Sequence, residues 1–284
     1  MQRKIALITD STNDLPEEYR TKYQIYVVPL TIVWGEDQYL DGIELKAEDF
    51  YARLVTDSVI PTTSQPTPKE FLTVYQRALE DGAEEIIVLT ISSAMSGTIG
   101  SARTAAEGFK IPVHIIDSKS NSMSLGWQVL AAARQREQNS DIHQIFKAVD
   151  NIRQNLHFHI VLETIDYLFR GGRIAGAARF IGGLLHLKPQ IRVNHETGSV
   201  EAGDISRTRG QAIERLYSSF FKLVDTTHPL HIAILHNAAL AEAEALAERV
   251  RQEFNPKELI ITIVSPVLGV HTGPGALGLC GYAE

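Results

Sequence analysis

Short apolar runs rich in β-branched residues alternate with longer segments of helical spacing through the first half of the chain. Strand-length runs occupy residues 4–10, 25–34, 84–91 and 113–118. Helical spacing marks residues 16–22, 47–56, 68–81 and 96–108. Because crossover helices join the parallel strands of one sheet, this alternation predicts an α/β domain with a mostly parallel sheet and flanking helices.

The second half shows a different order of predicted strands and helices. Helical segments at 122–138 and 142–154 close the first half, and Asp141 is expected to cap the second of them. Beyond them lie strand-like runs at 157–163, 231–236 and 258–265, a glycine-rich helical segment at 167–189, a hairpin turning at 196–198, and helices at 209–222 and 238–254. We therefore predict two α/β domains, residues 1–155 and 156–284, the second with a mixed sheet.

Composition argues against several classes of protein. Cys280 is the single cysteine, so the chain can build no disulfide framework and no thiolate metal cluster by itself. The net charge of −7 is spread along the chain without a lysine and arginine cluster, which argues against nucleic acid as a partner. No apolar run reaches the roughly 18 residues of a membrane span, and the N-terminus lacks a secretion pattern, so a cytoplasmic location is expected.

Short hydroxyl side chains are concentrated where the run at 84–91 ends, in the sequence VLTISSAMSGTIGSA. Here Ser96 is expected to cap the next helix, Gly97 lets the backbone approach another group closely, and Ser93 adds a hydroxyl. The N–H groups of a helix start bind anions. Because the loop has no lysine and the chain has no G-x-x-x-x-G-K-[ST] motif, a carboxylate suits this site better than a polyphosphate.

Two more segments carry polar side chains that could bind a ligand. The sequence IPTTSQPTP is expected to form a proline-stiffened loop, in which Thr67 and Glu70 make a capping box but Thr62 and Thr63 have no local role. Near the C-terminus, VHTGPGALGL places His271 in a glycine-rich loop, where an imidazole can donate to an anion or shuttle a proton.

Other titratable residues are expected to be structural. Asp10 and Asp14 are predicted to bond within their own turn, since an aspartyl phosphatase centre would need a second aspartate at the position of Thr12. His157 and His159 share one face of a strand but have no third ligand beside them, so no metal site is predicted.

Seven stretches, in this order along the chain, resemble the DegV family of bacterial lipid-binding proteins. They are ITDSTNDLP, PTTSQPTPKEF, ISSAMSGTIGSA, IIDSKSNSMSLG, YLFRGGRI, LKPQI and VHTGPGALGL. The resemblance implies a long-chain fatty acid in a buried tunnel between the two domains. Its carboxylate would lie where the threonine loop (residues 60–68), the serine loop (residues 88–102) and the C-terminal histidine converge. By position, the implied ligand-binding residues are Thr62 or Thr63, Ser93 with Ser96 and Gly97, Arg173 and His271.

The resemblance also implies a carrier rather than an enzyme. The best-understood members are acyl-carrying subunits that present the fatty acid to an ATP-using fatty acid kinase subunit, which makes an acyl phosphate. Arg173, and after it Arg170 and Arg207, would order the site or meet that partner. The helical spacing of the apolar residues within 174–187 predicts ordinary core residues. Only the resemblance implies that they form the wall of the tunnel. No cofactor besides the bound fatty acid is expected, and such a cargo is compatible with transient contact with a membrane surface.

Two other functions stay open at this level. Ser93, Asp117 and His271 occur in the order of an α/β-hydrolase triad and would suit a small-molecule serine hydrolase, although Ser93 lacks a G-x-S-x-G turn. A phosphate-metabolising enzyme would use Asp10 with a metal ion. Acyl-chain preference, the identity of the kinase and the oligomeric state do not follow from the sequence.

Overall fold

A computed structural model of the chain describes residues 4–173 and 187–284. Its strands are β1 Ile5–Asp10, β2 Ile25–Val28, β3 Thr31–Trp34, β4 Asp37–Leu40, β5 Thr62–Ser64, β6 Glu85–Thr90, β7 Val113–Asp117, β8 His157–Val161, β9 Lys188–Val193, β10 Val200–Ser206, β11 Leu230–His236, β12 Glu258–Ile263 and β13 Leu277–Ala283. Its helices are α1 Glu17–Lys22, α2 Ala47–Leu54, α3 Pro68–Glu80, α4 Thr98–Ala106, α5 Ser122–Glu137, α6 Ile142–Asn155, α7 Asp166–Arg170, α8 Arg209–Phe221, α9 Leu240–Phe254 and α10 Pro266–Thr272.

The N-terminal sheet consists of strands that are apolar along most of their length. Its four strands lie in the order β2-β1-β6-β7, and every pairing is parallel, as predicted. All residues of β1 and β6 are buried, which is usual for parallel strands with helices on both faces. The carboxyl ends of β1, β6 and β7 therefore lie at one edge, where the serine loop and Asp117 also lie.

A proline divides the strand predicted at 25–34. After Pro29 the chain leaves the N-terminal sheet, and β3 pairs antiparallel with β4 and β5 in a separate three-stranded sheet. Proline has no N–H to give to a ladder, which explains the break. The loop predicted over 60–68 is also wrong at Thr62–Ser64, because these residues form β5.

The C-terminal sheet is mixed, as predicted. Its six strands lie in the order β10-β9-β8-β13-β11-β12, and only β11 and β12 pair in parallel. Strand β13 is not predicted from the sequence, because its residues LGLCGYA include no β-branched residue. Gly281 fits this central position because a Cβ there would lie 2.3 Å from the carbonyl oxygen of His231.

A helix replaces the glycine-rich loop predicted around His271. Helix α10 starts with a proline, whose missing N–H is not needed at a first helical position. It packs closely on α2, since a Cβ on Gly269 would lie 2.6 Å from atoms of both Phe50 and Tyr51. The last turn of α10 carries His271.

Several local predictions are confirmed. Thr67 and Glu70 form the expected capping box of α3, and Asp141 caps α6. The predicted hairpin joins β9 and β10 and turns through Gly198, which has a φ of 74°. Of the helical segment predicted at 167–189, α7 covers the start; the tunnel wall expected from residues 174–186 lies outside the described residues.

The two halves of the chain share a core. Helix α5 packs on β1 and β6 and also on β13, and α6 contacts β13 as well. One apolar cluster accordingly joins Leu7 and Leu89 of the N-terminal sheet to Leu235 and Cys280 of the C-terminal sheet, around Trp127 of α5. The boundary between residues 155 and 156, which falls between α6 and β8, stays a prediction.

Candidate functional site

A cavity of about 400 Å³ lies where the two halves of the chain meet. Its apolar wall includes Ile91 from the N-terminal half and Phe158, Ile191, Val193 and Leu277 from the C-terminal sheet. Polar side chains also line it, among them those of Thr63, Gln65, Ser96, Arg173 and His271. An apolar cavity of this volume with a few polar groups has the usual character of a small-molecule site.

Thr63 and His271 join the two halves at the cavity. Thr63 Oγ1 on β5 lies 3.0 Å from Nε2 of His271 on α10. Thr63 is half-buried and lines the cavity, whereas Thr62 is exposed and absent from the cavity lining. Of the two threonines that the sequence left open, the structure therefore brings Thr63 to the cavity.

The imidazole of His271 is neutral at pH 7. Burial, and after it the positive charge of Arg173, lowers the pKa of His271 to about 4. Its Nδ1 is buried, has no hydrogen-bond partner among residues 4–173 and 187–284, and faces Gly171, where a Cβ would lie 2.0 Å away. Because orphaned buried N–H groups are rarer than unused acceptors, we assign the proton to Nε2, which then donates to Thr63. The Thr63 hydroxyl proton is thereby left for a ligand.

Arg173 brings a positive charge to the cavity. Its Nη1 donates to the carbonyl oxygen of Gly171 at 2.7 Å, and its Nε donates to that of Met95, in the serine loop, at 3.3 Å. The side chain is exposed and also lines the cavity, so it can reach a ligand from the surface. Arg170 and Arg207 are exposed and do not line the cavity.

The serine loop binds a carboxylate, but it is the protein's own. Ser93 donates from Oγ to Asp117 Oδ2 at 2.5 Å and from its backbone N–H to Oδ1 at 3.3 Å. Lys119 adds a backbone N–H at 2.9 Å and its ammonium group at 3.3 Å. Burial alone would raise the pKa of Asp117, but these bonds outweigh it and the pKa is lowered. Ser93 is exposed and does not line the cavity.

Ser96 and Gly97 have roles different from those expected. Gly97, not Ser96, is the N-cap residue of α4, and Ser96 Oγ accepts from the N–H of Thr98 at 3.4 Å while lining the cavity. The group that closely approaches the backbone at Gly97 is the side chain of Gln65. A Cβ on Gly97 would lie 2.1 Å from Gln65 Oε1, so only glycine leaves room for this side chain. Gln65 in turn donates to Ser101 Oγ at 3.2 Å.

The hydrolase alternative is not supported by this arrangement. A triad places histidine between the serine and the acid. Here Ser93 bonds directly to Asp117, whereas His271 pairs with Thr63.

Asp10 bonds within its own turn, as predicted, but also to the residue that follows β6. It is fully buried and accepts from the N–H of Thr12 at 3.0 Å and from that of Ile91 at 2.7 Å. Within residues 4–173 and 187–284, no three histidine, cysteine, aspartate or glutamate side chains are grouped to hold a metal ion. None of the described helices is long and apolar enough to cross a bilayer.

Two buried carboxyl groups hold the helix that carries His271. Asp14 was expected to bond within its own turn, but its Oδ1 accepts from the N–H of Ser265 at 3.0 Å. Asp41, which the sequence analysis missed, accepts from the N–H of Val267 at 3.2 Å. Burial raises the pKa of Asp14 to about 6 and that of Asp41 to about 7. No local sequence signal marks Asp41, since its partner lies 226 residues away.

Together these features define an α/β protein that encloses a largely apolar cavity between its two halves and places a hydroxyl, a neutral imidazole and a guanidinium on the cavity wall. A family model described as "Uncharacterised protein, DegV family" matches residues 4–284. The chain belongs to the DegV family, which confirms the resemblance of the seven stretches.

Relatives of this chain match it over almost its whole length. A DegV domain-containing protein of Streptomyces coelicolor is 35% identical over 280 residues, 98% of each chain. The solved structure of a DegV family protein from Thermus thermophilus, described by its fatty acid binding, is 31% identical, covers 100% of both chains and has a TM-score of 0.89. A stearic acid-binding protein from Eubacterium ventriosum is 26% identical, covers 99% of this chain and 98% of its own, and has a TM-score of 0.89.

Proposed function

We propose that this protein binds one long-chain fatty acid, with the acyl chain in the cavity between its halves and the carboxylate at Thr63 and His271. The observation that carries the proposal is the Thr63–His271 pair, 3.0 Å apart, on the wall of a largely apolar cavity. Fatty acid binding by the Thermus thermophilus relative and stearic acid binding by the Eubacterium ventriosum relative support the same class of ligand.

The polar and apolar parts of the cavity would have different tasks. A hydrogen bond from the Thr63 hydroxyl to a carboxylate contributes about 1.5–3 kcal/mol, and Arg173 and Ser96 offer a charge and a second hydroxyl. Each buried CH₂ group contributes about 0.8 kcal/mol. The acyl chain therefore supplies most of the affinity, and the polar residues fix which end of the ligand lies at His271.

The remaining predicted residues have supporting roles in this proposal. Ser93 contacts the ligand only if its side chain rotates away from Asp117. Its hydroxyl would then donate to the carboxylate of the fatty acid instead of that of Asp117. Thr62 continues β5 beside Thr63, and Gly97 leaves space for Gln65. Neither supplies a side-chain donor to the carboxylate.

We further propose that the protein is a carrier that presents the carboxylate to an ATP-using kinase subunit, where acyl phosphate is formed. The chain has no lysine-containing phosphate loop of its own. Arg173 is exposed beside the cavity, and Arg170 is exposed just before Gly171, so both positive charges are accessible to a partner. Arg207 is a further residue that could contact the kinase subunit, ranked after Arg173. Loading of the fatty acid would involve transient contact with a membrane surface in the cytoplasm, and no other cofactor.

Native mass spectrometry tests the lipid part of this proposal. We expect one fatty acid per chain, either as purified or after incubation of the delipidated protein with palmitate, stearate or oleate. A chain that stays free of lipid under both conditions would contradict it.

The carrier part is tested by adding ATP and the kinase subunit of the same organism to loaded protein and trapping acyl phosphate with hydroxylamine. Product formed without the kinase subunit would contradict the carrier role.

A further inference from the structure

Helix α10 is held at its first turn by the N-terminal half of the chain. Its N-cap residue, Ser265, makes no side-chain capping bond. The N–H groups of Ser265 and Val267 instead donate to Asp14 at 3.0 Å and to Asp41 at 3.2 Å. These two carboxyl groups are 8% and 2% exposed, so they act as a buried cap supplied by another part of the fold.

The other end of α10 lies at the cavity. Asn237, which follows β11, donates from Nδ2 to Thr272 Oγ1 at 2.7 Å and to the carbonyl oxygen of Gly273 at 2.6 Å. His271 lies in this last turn and reaches Thr63. Seven residues of helix span only about 10 Å, so a displacement of the first turn moves the imidazole as well.

The first-turn contacts place carboxyl groups close together in a buried region. Burial, and then the neighbouring charges of Asp14 and Asp10, raises the pKa of Asp41, which shows that the charged cluster carries an electrostatic cost. Asp14 has a second partner, Ser122 Oγ at 2.5 Å, and Ser122 lines the cavity. Neither Asp14 nor Asp41 lines the cavity, so their connection to it runs through α10 and Ser122.

We propose that Asp14 and Asp41 are positioning residues for the carboxylate site: they fix the first turn of α10 and thereby hold His271 against Thr63. This inference rests on the proposed function of that site. It assigns these two residues no contact with the fatty acid.

Alanine and asparagine variants separate positioning from general stability. Asp14→Ala and Asp41→Ala remove the acceptor, whereas Asp41→Asn keeps an oxygen that can accept from the N–H of Val267. Val250→Ala serves as the stability control, because Val250 is fully buried on α9 in a different part of the core. Fatty acid affinity is measured at a temperature where all variants are folded. Hydrogen exchange of residues 265–272 and the imidazole NMR signals of His271 are measured without lipid.

We expect the two alanine variants to lose affinity about tenfold, or about 1.4 kcal/mol. Their α10 amides should exchange faster and the His271 signals should shift, while Asp41→Asn stays close to the native protein. Val250→Ala should lower the melting temperature and leave affinity and the His271 signals unchanged. A merely structural role predicts that the alanine variants behave as Val250→Ala does.

The result that overturns the inference is native α10 exchange and native His271 signals in both alanine variants. Unchanged fatty acid affinity in both, with a native protein that binds lipid, overturns it as well. If the native protein binds no fatty acid, the proposed function fails separately. Even then, faster α10 exchange in the alanine variants with recovery in Asp41→Asn supports positioning, and its absence rejects it.

Discussion

Thr62 and Thr63 are adjacent in the chain but have different surroundings. Thr63 bonds to His271 at the cavity, whereas Thr62 is exposed. We expect Thr63→Val to weaken fatty acid binding tenfold or more, because a hydrogen bond to a charged group contributes about 1.5–3 kcal/mol. Valine keeps the shape and the strand preference of threonine. Titration calorimetry with Thr62→Val as the matched control measures the effect, and equal affinities of the two variants would rule out the assignment of Thr63.

Asp41 should make the stability of the protein depend on pH. Burial, and then the charges of Asp14 and Asp10, raises its pKa from 3.8 to about 7. A carboxyl group with a raised folded-state pKa stabilises the fold fully below its unfolded pKa, and this contribution is lost as the pH rises through the folded value. The contribution of Asp41 therefore declines between pH 3.8 and about 7.

The variant Asp41→Asn removes this titration. We expect the free energy of unfolding of the variant, relative to the native protein, to increase between about pH 4.5 and pH 8 by up to a few kcal/mol, at about 1.4 kcal/mol per pKa unit. Urea unfolding at several pH values measures the difference. Histidines with lowered pKa values, such as His159 and His195, are common to both proteins and cancel. A difference that does not change with pH would contradict the assignment.

The sequence identified the kinds of residue at the site better than their partners. Hydroxyl clusters without a lysine predict a loop that binds the carboxylate of a ligand, and this stays a prediction; the carboxylate that Ser93 bonds in the structure is that of Asp117, from the next strand of the sheet. The choice between Thr62 and Thr63 depends on which hydroxyl contacts His271, which lies 208 residues from Thr63. No local pattern in the sequence fixes that contact.

At the level of elements, α10 connects the proposed carboxylate site to the rest of the fold. A methyl group at Gly269 would lie 2.6 Å from atoms of Phe50 and Tyr51 on α2. We expect Gly269→Ala to push α10 away from α2, to cost about 1–3 kcal/mol of stability as overpacking does, and to weaken fatty acid binding by displacing His271. Melting temperature and lipid affinity measure both effects.

The matched control for this variant is Gly210→Ala. Gly210 lies in α8, and a Cβ there would meet nothing within 4 Å. This variant should keep the native stability and affinity. If Gly269→Ala binds fatty acid as well as Gly210→Ala does, then the packing of α10 on α2 does not position His271.

Elements with strong periodicity could be predicted from the sequence, and those defined by distant contacts could not. The buried strands β1 and β6 and the capped helices α3 and α6 follow from local patterns. By contrast, β13 has glycines where strands usually have β-branched residues, and its place is fixed by β8 and β11 on either side. Helix α10 is short, and its first turn is capped by residues more than 200 positions away. Because neither feature is visible locally, the sequence around His271 predicts a glycine-rich loop instead.

At the scale of the whole molecule, the shared core should make the two halves unfold as one cooperative unit. Helix α5 packs on both sheets, and the cavity is lined from both halves. We therefore expect a single thermal transition for the delipidated protein and a single, higher transition when fatty acid is bound. Ligand at 100 times its Kd stabilises the folded state by about 2.7 kcal/mol.

Calorimetry of the delipidated and loaded protein tests this expectation. At about 2–4 °C per kcal/mol for a chain of this size class, the melting temperature should rise by roughly 5–10 °C. Thr63→Val should show a smaller rise at the same fatty acid concentration, because its affinity is lower while its core is unchanged. Two transitions, of which lipid moves only one, would mean that the halves unfold separately and that the fatty acid is held by one of them, contrary to a site that joins β5 to α10 across the cavity.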